Sequence, residues 1–107
     1  MKIIHLNYSN GNGGAARAAL RIHNSLRRMN IKSSLWVNHL WKEGCNVKGP
    51  KNKIEKIFNN LRPRIVNHTI SKVIKTKNKN LLSPSVLPSR WVQMINSSNA
   101  DIINLHW

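Results

Sequence analysis

The sequence predicts an α/β fold in which a parallel sheet of about three strands is flanked by helices. Three observations predict it. The apolar run Ile3-Ile4-His5-Leu6-Asn7-Tyr8 meets the glycine-rich stretch Gly11-Asn12-Gly13-Gly14-Ala15-Ala16, and an alanine-rich amphipathic segment follows at once. Next, Ser33-Ser34-Leu35-Trp36-Val37-Asn38 completes a strand, helix, strand series whose short links require parallel pairing and a right-handed crossover. Last, Asp101-Ile102-Ile103-Asn104-Leu105-His106-Trp107 reads as a third buried strand.

Each element has its own signal. Residues 2–8 form the first strand. Over 15–29, Ala15, Ala19, Ile22, Leu26 and Met29 recur at helical spacing, with Arg17, Arg21, Asn24 and Arg28 on the opposite side. Asn30 suits a left-handed cap that ends this helix. Residues 39–50 read as loop, closing on Gly49-Pro50. Two apolar stripes follow: Ile54, Ile57, Phe58 and Leu61, then Ile65, Val66, Thr69, Ile70, Val73 and Ile74, with Pro63 dividing them into two short helices. Leu82-Ser83-Pro84 and Leu87-Pro88-Ser89 are turn punctuation, and Pro88 or Ser89 starts a helix carrying Trp91, Val92, Met94 and Ile95.

Composition bounds the rest. A chain of 107 residues is one domain at most. Its 18 Lys and Arg face only Glu43, Glu55 and Asp101, for a net charge of +15, which favours an anionic partner. Cys45 stands alone, which excludes an intrachain disulfide and fits a reducing cytoplasm. Met1-Lys2-Ile3-Ile4-His5 runs into strand-like sequence without the apolar region of a signal peptide, and no apolar run reaches the roughly 20 residues of a bilayer span.

The glycine stretch places backbone N–H groups at a helix N-terminus, a natural seat for phosphate. Gly11, Gly13 and Ala16 satisfy the dinucleotide pattern G-x-G-x-x-A, but that site also needs an acid at the end of the second strand. That strand ends Val37-Asn38-His39, with no carboxylate before Glu43, which argues against a nicotinamide cofactor. No Gly-Lys-Ser/Thr follows, which excludes a P-loop. A tight turn that holds no ligand is the plain alternative. The histidines have no metal-ligand spacing; His5, His23, His39 and His68 read singly as structural, and His106 differs by its place at a strand's carboxyl end.

Between 51 and 79 the chain carries nine basic residues and one acid. Phe58 is the only aromatic residue among them, and no zinc-finger or RNP signature accompanies them, so a nucleic-acid site is disfavoured. A solvated helical face is the bland reading. An anionic lipid surface is preferred over it, with Lys51, Lys53, Lys56, Arg62, Arg64, Lys72 and Lys75 facing the membrane, each worth about 1 kcal/mol near the surface.

The opening Lys2-Ile3-Ile4-His5-Leu6-Asn7, then Ser9-Asn10-Gly11-Asn12-Gly13-Gly14-Ala15-Ala16-Arg17-Ala18-Ala19, then Arg21-Ile22-His23 and Leu26, resembles the start of bacterial family-4 (group 1) glycosyltransferases. Leu81-Leu82-Ser83-Pro84, Leu87-Pro88 and the closing Asp-Ile-Ile-Asn-Leu-His-Trp are similar to the same subgroup further along. The resemblance implies a two-domain GT-B architecture, of which this chain is an incomplete, Rossmann-like N-terminal domain with a basic helical insertion at about 51–79. It implies a retaining, metal-independent transfer from a nucleotide-sugar to a lipid-linked or surface-polysaccharide acceptor, as in O-antigen assembly. It assigns the donor diphosphate and sugar to Asn12, Gly13, Gly14 and Ala15, and the acceptor side to Ser9, Asn104 and His106. Many members carry a histidine where this chain has Asn104.

No residue is assigned catalysis, and no cofactor is expected. The family's nucleotide pocket and Glu-x7-Glu motif belong to a C-terminal domain not found in this chain, which alone is expected to be inactive. The expected setting is cytoplasmic, peripheral on the inner face of the plasma membrane, with no nucleic-acid partner. The competing class is a small basic nucleic-acid-binding protein.

Overall fold

The computed structural model describes residues 1–73 and 91–106. The turns at 82–84 and 87–89, the helix start at Pro88 or Ser89, and Ile74, Lys75 and Trp107 lie outside them. The elements run β1 Lys2–Ser9, α1 Gly14–Arg28, β2 Lys32–His39, β3 Val47–Lys48, α2 Lys53–Val73, α3 Trp91–Asn96 and β4 Ile102–Leu105. Among the described residues the four strands are all parallel, in the order β3-β2-β1-β4. The expected α/β class and parallel sheet are therefore present, with one strand more than the sequence suggested. That strand, β3, falls in the stretch read as loop: two residues carry no alternation to detect, and it is held by pairing Leu35 with Val47 and Trp36 with Lys48.

Register fixes what each face carries. His5 pairs with Leu35 and Asn104, while Leu6 pairs with Trp36 and Leu105. Since successive side chains alternate across a strand, Ser33, Leu35, Val37 and His5 share one face, and Leu6, Trp36 and Asn38 the other. Helix α1 covers the first face, where Ala19, Leu35 and Val37 form the buried cluster, bordered by Leu20, Leu40 and Val47. Trp91 of α3 meets the second, stacked on Trp36 with ring centroids 5.9 Å apart.

The buried stripe of α1 is Ala16, Ala19 and His23, with Leu20 and Leu26 half-buried beside it. This is a rotation away from the expected face: Ile22 and Met29 are exposed. Apolar periodicity mislocates the stripe because it counts His23 as polar, whereas both its ring nitrogens are paired in the core. The helix ends as expected on Asn30, at φ 58°. The N–H of Asn30 donates to Arg27 O and that of Ile31 to Leu26 O, each at 3.0 Å, the two bonds of a Schellman cap.

Two further expectations are corrected. Pro63 does not divide α2, which runs unbroken from Lys53 to Val73. A proline forfeits a single ladder bond, and Ile54, Phe58, Leu61 and Ile65 stay in helical phase across it. Strand β4 is not buried but forms a sheet edge, with Ile102 and Leu105 exposed. It is anchored at its start, where the backbone N–H of Lys2 donates to Asp101 Oδ2 at 2.6 Å and that of Asp101 donates to Lys2 O at 2.9 Å. Among the described residues no helix is long and apolar enough to cross a membrane.

Candidate functional site

Parallel strands deliver all their carboxyl ends to one edge of the sheet. From β1 the chain moves outward through β2 to β3, then returns to the other side as β4, so the order reverses between β1 and β4. Open α/β sheets bind ligands in the crevice at such a reversal. A cleft of about 280 Å³ lies there, lined by Leu6, Asn7, Tyr8, Asn38, Trp91, Leu105 and His106. Leu6 and Leu105, paired across the reversal, give an apolar floor. Asn7, Tyr8, Asn38, Trp91 and His106 complete its lining, which is mainly apolar.

Trp91 is held from two directions. Its indole Nε1–H donates to Asn38 Oδ1 at 2.7 Å, and its ring lies on Trp36, whose other neighbour is the Lys48 ammonium 5.5 Å from the ring centroid. Asn7 is held by its own turn, donating from Nδ2 to Ser9 O while its Oδ1 accepts the Tyr8 N–H, each at 2.9 Å. The backbone N–H of His106 continues the β1 pairing by donating to Leu6 O at 2.9 Å, which seats His106 at the cleft's edge.

Three histidines stand in a row on the α1 side of this edge. His5 Nδ1 and His106 Nε2 are 3.0 Å apart, and the rings of His5 and His23 meet edge to face with centroids 6.2 Å apart. His23 is fully paired: a carbonyl can only accept, so Nε2 donates to Cys45 O at 3.0 Å, and Nδ1 meets Ser33 Oγ at 2.8 Å. His5 is 1% exposed, and its Nε2 has no hydrogen-bond partner. Burial, reinforced by His106 and then His23 beside it, lowers the His5 pKa from 6.5 to about 4. No local pattern marks this row, because His5 and His106 are 101 residues apart. Among the described residues no group of three His, Cys, Asp or Glu is arranged to hold a metal.

The glycine loop joins β1 to α1 at the same edge. Gly13 takes φ 127° and ψ 154°, a conformation that in practice only glycine adopts, and accepts the Arg17 N–H at 3.1 Å. A Cβ on Gly11 would lie 2.5 Å from the Trp41 ring, whereas one on Gly14 would enter open space. Asn10 clamps the neighbouring loop, its Oδ1 accepting the Trp41 N–H at 2.8 Å and its amide donating to Lys42 O.

Of the residues assigned by resemblance, His106 alone lines the cleft. Asn12 and Gly13 are exposed on the loop, Gly14 is exposed as the first residue of α1, and Ala15 is half-buried beside it. Ser9 ends β1, and Asn104 lies on β4 in register with His5. Trp91, Asn38 and Tyr8, which do line the cleft, were not singled out; only tertiary pairing between positions 53 apart joins Trp91 to Asn38. Lys51, Lys53, Lys56 and Arg64 are exposed, Arg62 and Lys72 belong to α2, and Lys75 lies outside the described residues. Ile54, Ile57, Phe58, Leu61 and Ile65 are exposed on the same helix.

No protein-family model matches the chain, and neither a curated protein nor a solved structure does.

Proposed function

We propose that this chain is the Rossmann-like, acceptor-side unit of a GT-B glycosyltransferase that moves a sugar from a nucleotide-sugar to a lipid-linked or surface-polysaccharide acceptor. The observation that carries the reading is the cleft at the sheet reversal. A mainly apolar lining that includes Trp91, Leu6 and Leu105, with Tyr8 and His106 among its residues, suits the C–H face of a sugar ring and leaves few groups for its hydroxyls. The glycine loop, by resemblance, turns Gly13 and Gly14 toward the donor diphosphate. In this reading the nucleotide pocket, and the positive groups that stabilise the departing diphosphate, belong to a second domain. The unit alone binds but does not transfer.

The exposed basic residues of α2 fit the same reading by resting on anionic lipid at the cytoplasmic face, where a lipid-linked acceptor is found. The test is a titration of the ¹⁵N-labelled chain with simple glycosides and with UDP- and GDP-sugars. The reading expects glycosides to shift the Trp91 indole and the Tyr8 and His106 signals at millimolar concentration, with no submicromolar binding of nucleotide-sugars. Glycosides that leave those signals unmoved overturn it. A duplex or single-stranded oligonucleotide that shifts α2 with structured preference supports instead the nucleic-acid reading.

A further inference from the structure

The contact between His5 Nδ1 and His106 Nε2 requires one nitrogen to donate and the other to accept. Two arrangements of hydrogens satisfy it, and they differ in what they leave on the far nitrogen of His5. If His5 accepted at Nδ1, its single hydrogen would sit on Nε2, an N–H sealed in the core without an acceptor. If His5 donates from Nδ1, only a lone pair is left unmet at Nε2. Buried N–H groups without partners are the rarer and costlier case.

The neighbouring ring offers no relief. Both nitrogens of His23 are committed, to Ser33 Oγ and Cys45 O. The low pKa of His5 adds that its ring holds one hydrogen at neutral pH.

The consequence passes to the cleft. His106 then accepts at Nε2, so its own hydrogen in the neutral ring must sit on Nδ1. That nitrogen makes no hydrogen bond to a described residue, and His106 is one of the residues that line the cleft. We propose that His5 is a positioning residue that fixes His106 as its Nδ1–H tautomer, so that the cleft's histidine meets a ligand as a donor to an oxygen atom. A carboxylate or backbone carbonyl commonly sets a functional histidine's tautomer. Here a second, buried histidine does.

The donor role toward a sugar oxygen rests on the function proposed above, whereas the tautomer does not, and the experiment separates the two. Side-chain ¹H–¹⁵N correlation spectra at pH 8 distinguish a protonated ring nitrogen from a bare one. In the wild-type chain His5 and His106 should each show a protonated Nδ1 and a bare Nε2. A wild-type His106 with its hydrogen on Nε2 overturns the proposal, whatever any variant does.

His5→Leu removes the donor, and His106 should then revert to the Nε2–H form that a free histidine prefers in water. A folded His5→Leu chain whose His106 keeps the Nδ1–H form also overturns it. If that variant does not fold, the wild-type spectrum decides. Adding a glycoside should shift the His106 Nδ1 signal; the expected tautomer without that shift upholds the positioning role and overturns the sugar reading.

Discussion

Trp91 and Asn38 are joined by a 2.7 Å hydrogen bond from the indole N–H to the amide oxygen, across 53 residues of chain. The bond ties the first residue of α3 to the carboxyl end of β2, and the ring beneath it lies on Trp36 at an interplanar angle of 30°. One side chain thus sets the position of α3 over the sheet and one wall of the cleft.

Trp91→Phe should keep most of the stacking and lose the hydrogen bond, at about 1 kcal/mol of stability. Trp91→Ala should cost about 2–3 kcal/mol, less than a fully buried tryptophan because this one is half-exposed. Urea unfolding followed by circular dichroism measures both. Equal midpoints for the two variants would show that the ring stacking contributes nothing.

The pH dependence of stability follows from His5. Its folded-state pKa of about 4 lies below the ordinary 6.5, so folding favours the neutral ring. That contribution is complete above pH 6.5 and falls as pH drops toward 4, by on the order of 3 kcal/mol in all. His106 and His23 are the titratable groups facing it, and both oppose a charge on His5. His5→Gln, which cannot titrate, should lose this part of the acid slope. An unchanged slope between pH 6.5 and 4 in that variant would assign acid sensitivity to other groups.

The glycine loop separates structural from ligand-side roles. Gly13→Ala forces a side chain into φ 127° and should cost about 1–3 kcal/mol. Gly14→Ala meets nothing within 4 Å and should fold within about 0.5 kcal/mol of wild type. Thermal melts of the pair provide the comparison; an equal loss in both would move the strain from Gly13 to the helix start. In a protein with transfer activity, Gly14→Val should then abolish that activity without unfolding the chain.

What could be read from the sequence was local. β1, α1, β2 and the return of β4 each carry a period or a punctuating residue, and Asn30 marks its cap. What escaped depends on distant partners. His23 counts as polar until Ser33 and the Cys45 carbonyl close around it, so apolar spacing centres the stripe of α1 on Ile22 and Met29 as well as Ala19, rather than on Ala16, Ala19 and His23. Val47 and Lys48 become a strand only through Leu35 and Trp36. At the candidate site, His106 stood out by its place at a strand end. His5 and Trp91 did not, because the contacts that give them roles span 101 and 53 positions.

The surface of α2 yields the last prediction. Lys53, Lys56 and Arg64 are exposed, as are Ile54, Ile57, Phe58, Leu61 and Ile65, so one helix offers cations beside an apolar stripe. A lipid interface uses both, the cations near anionic headgroups and the stripe among the upper acyl carbons. Binding to vesicles containing anionic phospholipid should therefore weaken steeply from low to high salt, whereas binding to neutral vesicles should be slight throughout. Reversing Lys53, Lys56 and Arg64 to Glu should remove the salt-sensitive part. Phe58→Ser should weaken binding at every salt concentration, because it removes apolar contact rather than charge. Vesicle co-sedimentation measures each, and equal affinity for neutral and anionic vesicles would count against the electrostatic contact.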